Sequence, residues 1–381
     1  MAQMKYLIIL LVLIGCLLRI VPSAEFKGTG YDEALYIKYV KRLNKDGLVV
    51  YPQMVEEFIE RHQTPVMCEL PPTRFLYVYS GFMVGRIFSL EPKTALRTSS
   101  CIATCLSLLL VGLYLPKFLG TAGVYATAFY AFFPTQIHMA QHALIDGFFG
   151  AVAVFTLIML WKAVNGSKLS AYWYGVGMFL AVICKENALF LYFGICCTLA
   201  CYFYNNKVNK NIILATILAP IIGVAFLSLI SGGLDNCITT YILVGKKAQT
   251  LKYAIMTGDG PFHRYLVDLI LVAPAIVVLC ILGMRNISNS FLKYSGLFLL
   301  STYILMAFVP NGMNLRYASM WEFIICAFAG SFIFTLKPKY SAIVAGAVCF
   351  HSLYLYQKLC VEFPMYELVT EGLVRALNII K

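Results

Sequence analysis

Residues 73–90 read TRFLYVYSGFMVGRIFSL, and whether this run crosses a membrane or lies along its surface decides the topology of everything after it. It is apolar enough for a short span, yet it holds Arg74, Arg86 and two glycines. The short loops decide between the two, because Lys and Arg concentrate on the side that is not translocated. With the run on the surface, one side receives Lys117, Lys162, Lys168, Lys207, Lys210, Arg285, Lys293, Lys337 and Lys339, while the short loops opposite hold only Lys185 and Arg316. With the run spanning, the N-terminus and Lys5 would have to sit outside to keep that bias. The expectation is therefore a surface run, an inside N-terminus and one extracytoplasmic loop over 23–97.

The wider composition demands a membrane. Of 381 residues, 60% are AVILMFWYC and 13% are charged, against about 25% charged in a soluble domain. Soluble dehydrogenases, nucleases and coiled coils are excluded. A span needs roughly 20 apolar residues, and after a first, uncleaved span ending near Leu18 further apolar runs lie near 99–115, 121–137, 147–163, 171–185, 188–204, 212–231, 265–283, 294–309, 317–335 and 340–356. The expected fold class is an all-α polytopic membrane protein with about 11 transmembrane helices and a large first loop of amphipathic helices. It forms a single domain, 1–381, with a second extracytoplasmic loop at 232–263 and a C-terminal extracytoplasmic tail at 357–381. The net charge of +12 follows the short loops, which argues against nucleic acid. The cysteines fall mostly within apolar runs and include no CxxC pair, so they read as small hydrophobes.

The acid is uneven. Nine of the eighteen acidic residues lie between 23 and 91: Glu25, Asp32, Glu33, Asp46, Glu56, Glu57, Glu60, Glu69 and Glu91. The topology brings Asp146, Lys185, Glu186, Arg264 and Arg316 out on the same side as that acidic loop. Ionisable groups near membrane depth are costly and tend to mark function.

Asp32 and Glu33 admit two readings. Adjacent carboxylates at an interface can have their pKa values pushed apart, leaving one as a general base, or Asp32 caps a surface helix. Glu69 to Tyr77 places Pro71-Pro72 before an aromatic helix, which serves as a headgroup anchor or as the wall of a lipid or acceptor site. Arg97, Lys185, Arg264 and Arg316 are cations suited to a lipid phosphate, or they pair internally, Lys185 with Glu186 and Arg264 with Asp268. Arg316, between Pro310-Asn311-Gly312 and Tyr317, opens a span where a charge has no topological use. His138, His142 and Asp146, at i, i+4 and i+8, would share one face of a continuous helix as a polar rim; no metal site is expected from them, and a divalent ion is not excluded. P-loop, GxSxG, HExxH and GxGxxG patterns are missing.

In order and spacing these stretches resemble the GT-C membrane glycosyltransferases that use polyprenyl-phosphate sugars, in the branch of protein O-mannosyltransferases and lipid A aminoarabinose transferases. The matching stretches are Tyr31-Asp32-Glu33-Ala34-Leu35-Tyr36, Pro71-Pro72-Thr73-Arg74-Phe75-Leu76-Tyr77, Ala95-Leu96-Arg97, Ala143-Leu144-Ile145-Asp146, Gly175-Val176-Gly177 running to Lys185-Glu186-Asn187, and Arg316-Tyr317. The resemblance implies an inverting transferase that moves a sugar from a polyprenyl-phosphate donor to a hydroxyl of a glycan, lipid or protein. Asp32 would be the general base with Glu33 in support. Arg97, Lys185, Arg316 and Tyr317 would hold the donor phosphate, and Asp146, His142 and Glu186 would face acceptor or sugar. It also implies an enzyme of bacterial type, in the cell (inner) membrane, with its active site on the extracytoplasmic face, membrane lipids around it and no cofactor. A lipid-linked-sugar flippase and a non-catalytic assembly subunit remain as alternatives.

Overall fold

The computed structural model describes residues 2–21, 29–63, 70–204, 208–250, 260–309, 313–362 and 373–378. Glu25, Glu69, Asp259, Pro310 to Gly312 and most of the tail lie outside the described residues. In chain order the helices are α1 (Ala2–Ile20), α2 (Tyr31–Asp46), α3 (Tyr51–His62), α4 (Phe75–Phe88), α5 (Pro92–Leu119), α6 (Thr121–Ala131), α7 (Pro134–Ala140), α8 (Ile145–Val164) and α9 (Lys168–Cys184). They continue as α10 (Ala188–Tyr204), α11 (Lys210–Ile230), α12 (Leu234–Thr250), α13 (Arg264–Val272), α14 (Pro274–Gly283), α15 (Ser290–Ala307), a 3₁₀ segment (Leu315–Trp321), α16 (Glu322–Phe334) and α17 (Pro338–Tyr356). Among the described residues there is no strand.

All the apolar runs are helical, but fewer have the dimensions of a full span than the eleven expected. Among the described residues five stretches are long and apolar enough to cross a membrane: α5, α8, α11, α15 and Leu315–Phe334; α13 and α14, bent by 120° at the break between them, make a sixth if counted as one broken span. The shortfall has local causes. Pro134 forces Phe133 into an extended conformation (φ −68°, ψ 122°), which splits the run 121–137 into α6 and α7. Pro274 likewise starts α14 after Ala273 has left helical geometry. The runs at 171–185 and 188–204 make helices of only 17 residues. The surface run is α4, 14 residues long.

Helices in lipid gain little from apolarity itself, so they associate where small residues allow backbones to approach. α8 and Leu315–Phe334 are the most enclosed spans, whereas α11 turns an apolar stripe outward: Ile213, Leu214, Ile217, Leu218, Ile221 and Ile222 are exposed. α16 meets α6 at Gly330, where a Cβ would lie 2.4 Å from the Ala122 carbonyl oxygen. Polar clamps satisfy the backbone where helices end. The buried Arg19 donates to Gly15 O (2.8 Å), Ala131 O (3.0 Å) and Tyr130 O (3.1 Å), which pins α1 to the carbonyls freed at the end of α6. Gln141 donates to Leu18 O and Val21 O and accepts from the Tyr356 hydroxyl, so α1 and α17 are tied to the turn after α7.

The first loop stacks α2 and α4 on α5; the expected extended Pro71-Pro72 entry is instead a turn, closed by Arg74 N donating to Pro71 O (3.4 Å) and held by hydroxyls, Tyr39 donating to Leu70 O (2.7 Å) and Tyr51 to Pro72 O (2.6 Å). α3 packs on α12.

The close contact at Gly330 predicts opposite signs for two equivalent substitutions. Gly330→Ala pushes a methyl into backbone and should lower the Tm of the detergent-solubilised protein, by an energy of about 1–3 kcal/mol. Gly346→Ala meets open space and should leave Tm unchanged or raise it by the helix-propensity gain of about 0.5–1 kcal/mol. Equal effects of the two would contradict the packing of α16 on α6.

Candidate functional site

The site is built at the end of the bundle that carries the first loop. α2 begins at Tyr31 with Gly30 as its cap residue, which leaves both Asp32 and Glu33 in the first turn. The two carboxylates then separate in role. The capping considered for Asp32 falls to Glu33, whose Oε2 accepts from Gly30 N (2.8 Å), the half of a capping box that a glycine cap residue allows. Glu33 Oε1 accepts from Ala143 N (2.7 Å) and lies 3.6 Å from His142 Nδ1, so this buried side chain brackets α2 to the turn between α7 and α8. Burial opposes its charge, but hydrogen bonding from His142 and from the N–H groups of Gly30 and Ala143 outweighs that, and its pKa is held down to about 2.

Asp32, on the neighbouring position, faces elsewhere. Its Oδ2 accepts from Arg316 Nη1 at 3.3 Å, and the same guanidinium nitrogen lies 3.8 Å from Asp146 Oδ2. Asp146 in turn accepts from Lys185 Nζ. A chain of alternating charge, Asp32–Arg316–Asp146–Lys185, therefore joins the start of α2, the start of the 3₁₀ segment, the start of α8 and the end of α9. Lys185 Nζ also sits 4.1 Å from the centre of the Tyr317 ring, a cation–π contact. Ser319 Oγ donates to Asp146 O (3.0 Å), which fixes the 3₁₀ segment against the head of α8.

Beside this chain stands an ion pair with both side chains forked: Arg74 donates to Glu186 through Nε (3.0 Å) and Nη2, and through Nη1 to the Tyr36 hydroxyl. Burial raises the Glu186 pKa, and Arg74 together with Lys185 more than offsets it, so Glu186 is held below its ordinary value. The sequence leaves the stretch that holds Arg74 as a headgroup anchor or as the wall of a lipid or acceptor site, and the structure places Arg74 in the polar cluster. Its signal was the Pro-Pro entry, which halts the chain so that Arg74 points from the helix start into the bundle. Lys185 pairs with Asp146 and not with its neighbour Glu186; the Arg264–Asp268 pair forms as expected, at 3.7 Å.

Two expected residues stand apart from the chain. Arg97 donates through Nε to Gln141 O (2.7 Å), and its described contacts do not reach Asp32, Asp146 or Lys185. His142 stays with Glu33 and stacks 4.3 Å from His138. The continuous helix that would align His138, His142 and Asp146 is broken between Ala140 and Ile145, and among the described residues no three His, Cys, Asp or Glu side chains are placed to hold a metal ion.

An apolar cavity of about 460 Å³ runs along α13 to α16, lined among others by Leu266, Ile281, Met284, Lys293, Gly296, Leu300, Ile325 and Trp321. Trp321 closes the 3₁₀ segment that begins beside Arg316. Charged groups and an apolar groove thus share one wall.

No family model matches the chain, and no curated sequence is detectably similar to it. Solved structures share its fold. ArnT of Cupriavidus metallidurans in the apo state superposes with a TM-score of 0.62 at 14% identity over 90% of this chain and 62% of that one. The same protein bound to undecaprenyl phosphate gives 0.59 at 12% identity over 90% and 61%. The archaeal oligosaccharyltransferase AglB of Archaeoglobus fulgidus, in complex with an inhibitory peptide and a dolichol-phosphate, gives 0.54 at 14% identity over 97% and 56%. The chain thus shares the fold of ArnT and AglB and spans about three fifths of the length of the ArnT chains it matches.

Because the folded pKa of Glu33 lies below the unfolded one, its carboxylate stabilises the fold above about pH 4.5, and that stability is lost as pH falls toward 2. The stability deficit of Glu33→Gln should therefore be on the order of 3 kcal/mol near pH 6 and shrink toward zero near pH 2. A deficit independent of pH, followed by thermal unfolding in detergent, would sink the bracket.

Proposed function

We propose that the chain is an inverting glycosyltransferase that moves a sugar from a polyprenyl-phosphate donor to a hydroxyl acceptor at the membrane surface. The observation that carries this reading is the chain Asp32–Arg316–Asp146–Lys185, with an apolar cavity lined by the same segment, Leu315–Phe334, that supplies Arg316. A lipid phosphate needs cations at its head and an apolar channel for its tail, and here both share the wall made by Leu315–Phe334. The fold shared with two transferases whose structures hold undecaprenyl phosphate and a dolichol-phosphate supports the same reading.

In this mechanism the donor phosphate sits on Lys185 and Arg316 with Tyr317 beneath Lys185, and Arg97 adds its Nη groups from the start of α5. Asp32 takes the proton of the acceptor hydroxyl as that oxygen attacks the anomeric carbon. The bond from that carbon to the phosphate oxygen breaks, the configuration inverts, and the lipid phosphate leaves with its charge met by the two cations. Glu33 and His142 position α2 so that Asp32 faces the reacting centre, while Asp146 and Glu186 hold the cations and face sugar or acceptor. These fixed cations meet the leaving-group charge without a metal ion. Arg316 reaches both Asp32 and Asp146, so a phosphate that draws Arg316 toward itself loosens its hold on the base.

Enzyme and membrane setting are read together: the acidic loop faces the extracytoplasmic side of a bacterial cell membrane, in line with the charge bias of the short loops. A flippase is the second reading, favoured by the broken pair α13–α14. Membranes carrying Asp32→Asn should transfer labelled sugar from polyprenyl-phosphate donors at least about a hundredfold more slowly than the parent, with Tm retained. Near-normal transfer by a folded Asp32→Asn protein would refute the assignment. A protein that moves donor across the bilayer without releasing polyprenyl phosphate would establish the flippase instead.

A further inference from the structure

The far end of the bundle carries a second cavity with different chemistry. α5 runs from Arg97 at the acidic-loop end to Lys117, about 30 Å away at 1.5 Å per residue, and α8 runs about 24 Å from Asp146 to Lys162. Lys117 and Lys162 line a cavity of about 430 Å³ together with Trp161, Asn165, Ser167 and Asn289. Its floor is ordered: Asn289 donates to Phe118 O (3.1 Å) and caps α15 through Phe291 N (2.8 Å), which fastens the start of α15 to the end of α5. Both ammonium groups crowd one ring. Lys162 Nζ lies 4.7 Å and Lys117 Nζ 5.1 Å from the centre of Tyr114, and Lys162 also donates to its hydroxyl (3.2 Å).

Two like charges gathered on one ring need an anion, and this end of the chain supplies none. The loops here, 116–121, 162–168, 204–210, 284–293 and 335–341, hold nine Lys and Arg and not one Asp or Glu. A topological bias accounts for the sign of those charges. It does not account for an open depression in which two of them converge from different helices beside a tryptophan and neutral hydrogen-bonding side chains. Basic pockets between helices at a membrane surface suit phosphate headgroups.

We infer that this cavity is a phosphate-binding site, with Lys117 and Lys162 as its ligating cations and an anionic phospholipid headgroup or a free phosphate as the source of the group. The site is distinct from the proposed donor site and does not depend on that reading.

The test is a titration of the delipidated full chain in nonionic detergent with dioctanoyl phosphatidylglycerol, with dioctanoyl phosphatidylcholine and with inorganic phosphate. Each lysine near an anionic headgroup contributes about a fivefold gain in affinity, so Lys117→Gln/Lys162→Gln should weaken phosphatidylglycerol binding about thirtyfold. Lys117→Arg/Lys162→Arg should restore it. Lys337→Gln/Lys339→Gln removes the same charge from the same end outside the cavity and should change affinity by less than about threefold. Tight phosphatidylglycerol binding identifies a lipid headgroup as the source. Binding of inorganic phosphate alone, lost in Lys117→Gln/Lys162→Gln, identifies a soluble phosphate. Equal weakening by the two Gln pairs, phosphatidylcholine binding as tightly as phosphatidylglycerol, or unchanged binding by Lys117→Gln/Lys162→Gln would overturn the site. If the double variant does not fold, Lys117→Gln, at an exposed side chain, reads the same comparison at about fivefold.

Discussion

The site end of the molecule depends on one buried carboxylate. Asp146 is 3% exposed, and an isolated charge at such a depth would cost several kcal/mol. It is tolerated because Lys185 and Arg316 reach it from opposite sides, and each of those cations depends on it in return. The three residues lie on segments separated by 39 and 131 residues in the chain, so their mutual need joins the head of α8, the end of α9 and the start of the 3₁₀ segment. Sterics allow the approach: a Cβ at Gly150 would lie 2.9 Å from Ser319 Oγ, and only glycine lets the 3₁₀ segment lie so close to α8. The ionic pairing therefore rests on a packing condition met elsewhere in the sequence.

Around Asp146 the charges cancel. Asp32, Asp146 and Glu186 face Arg74, Lys185 and Arg316, three of each sign. Strength is not shared equally among the pairs. Arg74 and Glu186 grip each other through two hydrogen bonds and are anchored to Tyr36, whereas Asp32 is held by a single nitrogen that also serves Asp146. The weakest link thus lies at Asp32, the more exposed carboxylate of the chain. A cluster arranged this way gives up its outer carboxylate before its inner framework, which suits a site that must exchange an anion while staying folded.

Much of this was legible before any coordinates. Counting cations in short loops placed Asp32, Asp146, Lys185 and Arg316 on one face, and the structure brings those four into one chain of contacts. Such counting works on charge and run length, both one-dimensional properties. It fails where three-dimensional pairing decides. Adjacency in sequence suggested Lys185 with Glu186, but the helix ends at Cys184, just before them, and their side chains diverge to partners 39 and 112 residues away. Asp32 and Glu33 look interchangeable as letters; a one-residue step on a helix turns them about 100° apart, so one becomes a bracket and the other faces Arg316. The span count suffered likewise, since hydropathy sees the apolarity of 121–137 and 265–283 but not that Pro134 and Pro274 redirect the backbone within them.

The two ends of the bundle solve the same electrostatic problem in opposite ways. At the acidic-loop end Arg74, Lys185, Arg264 and Arg316 each find a carboxylate from the chain itself, and Arg19 finds backbone carbonyls. At the other end the loops contain no carboxylate at all, so Lys117 and Lys162 can lower their mutual repulsion only through the face of Tyr114 or through an anion from outside. A cation–π contact at a partly exposed site contributes about 0.5–1 kcal/mol, while two unit charges within several ångströms repel by a comparable amount even where water screens them. The aromatic ring can offset the repulsion but leaves little surplus to hold the lysines in place. The order of that end therefore depends on what the membrane or the solvent supplies, whereas the order of the site end is written into the chain.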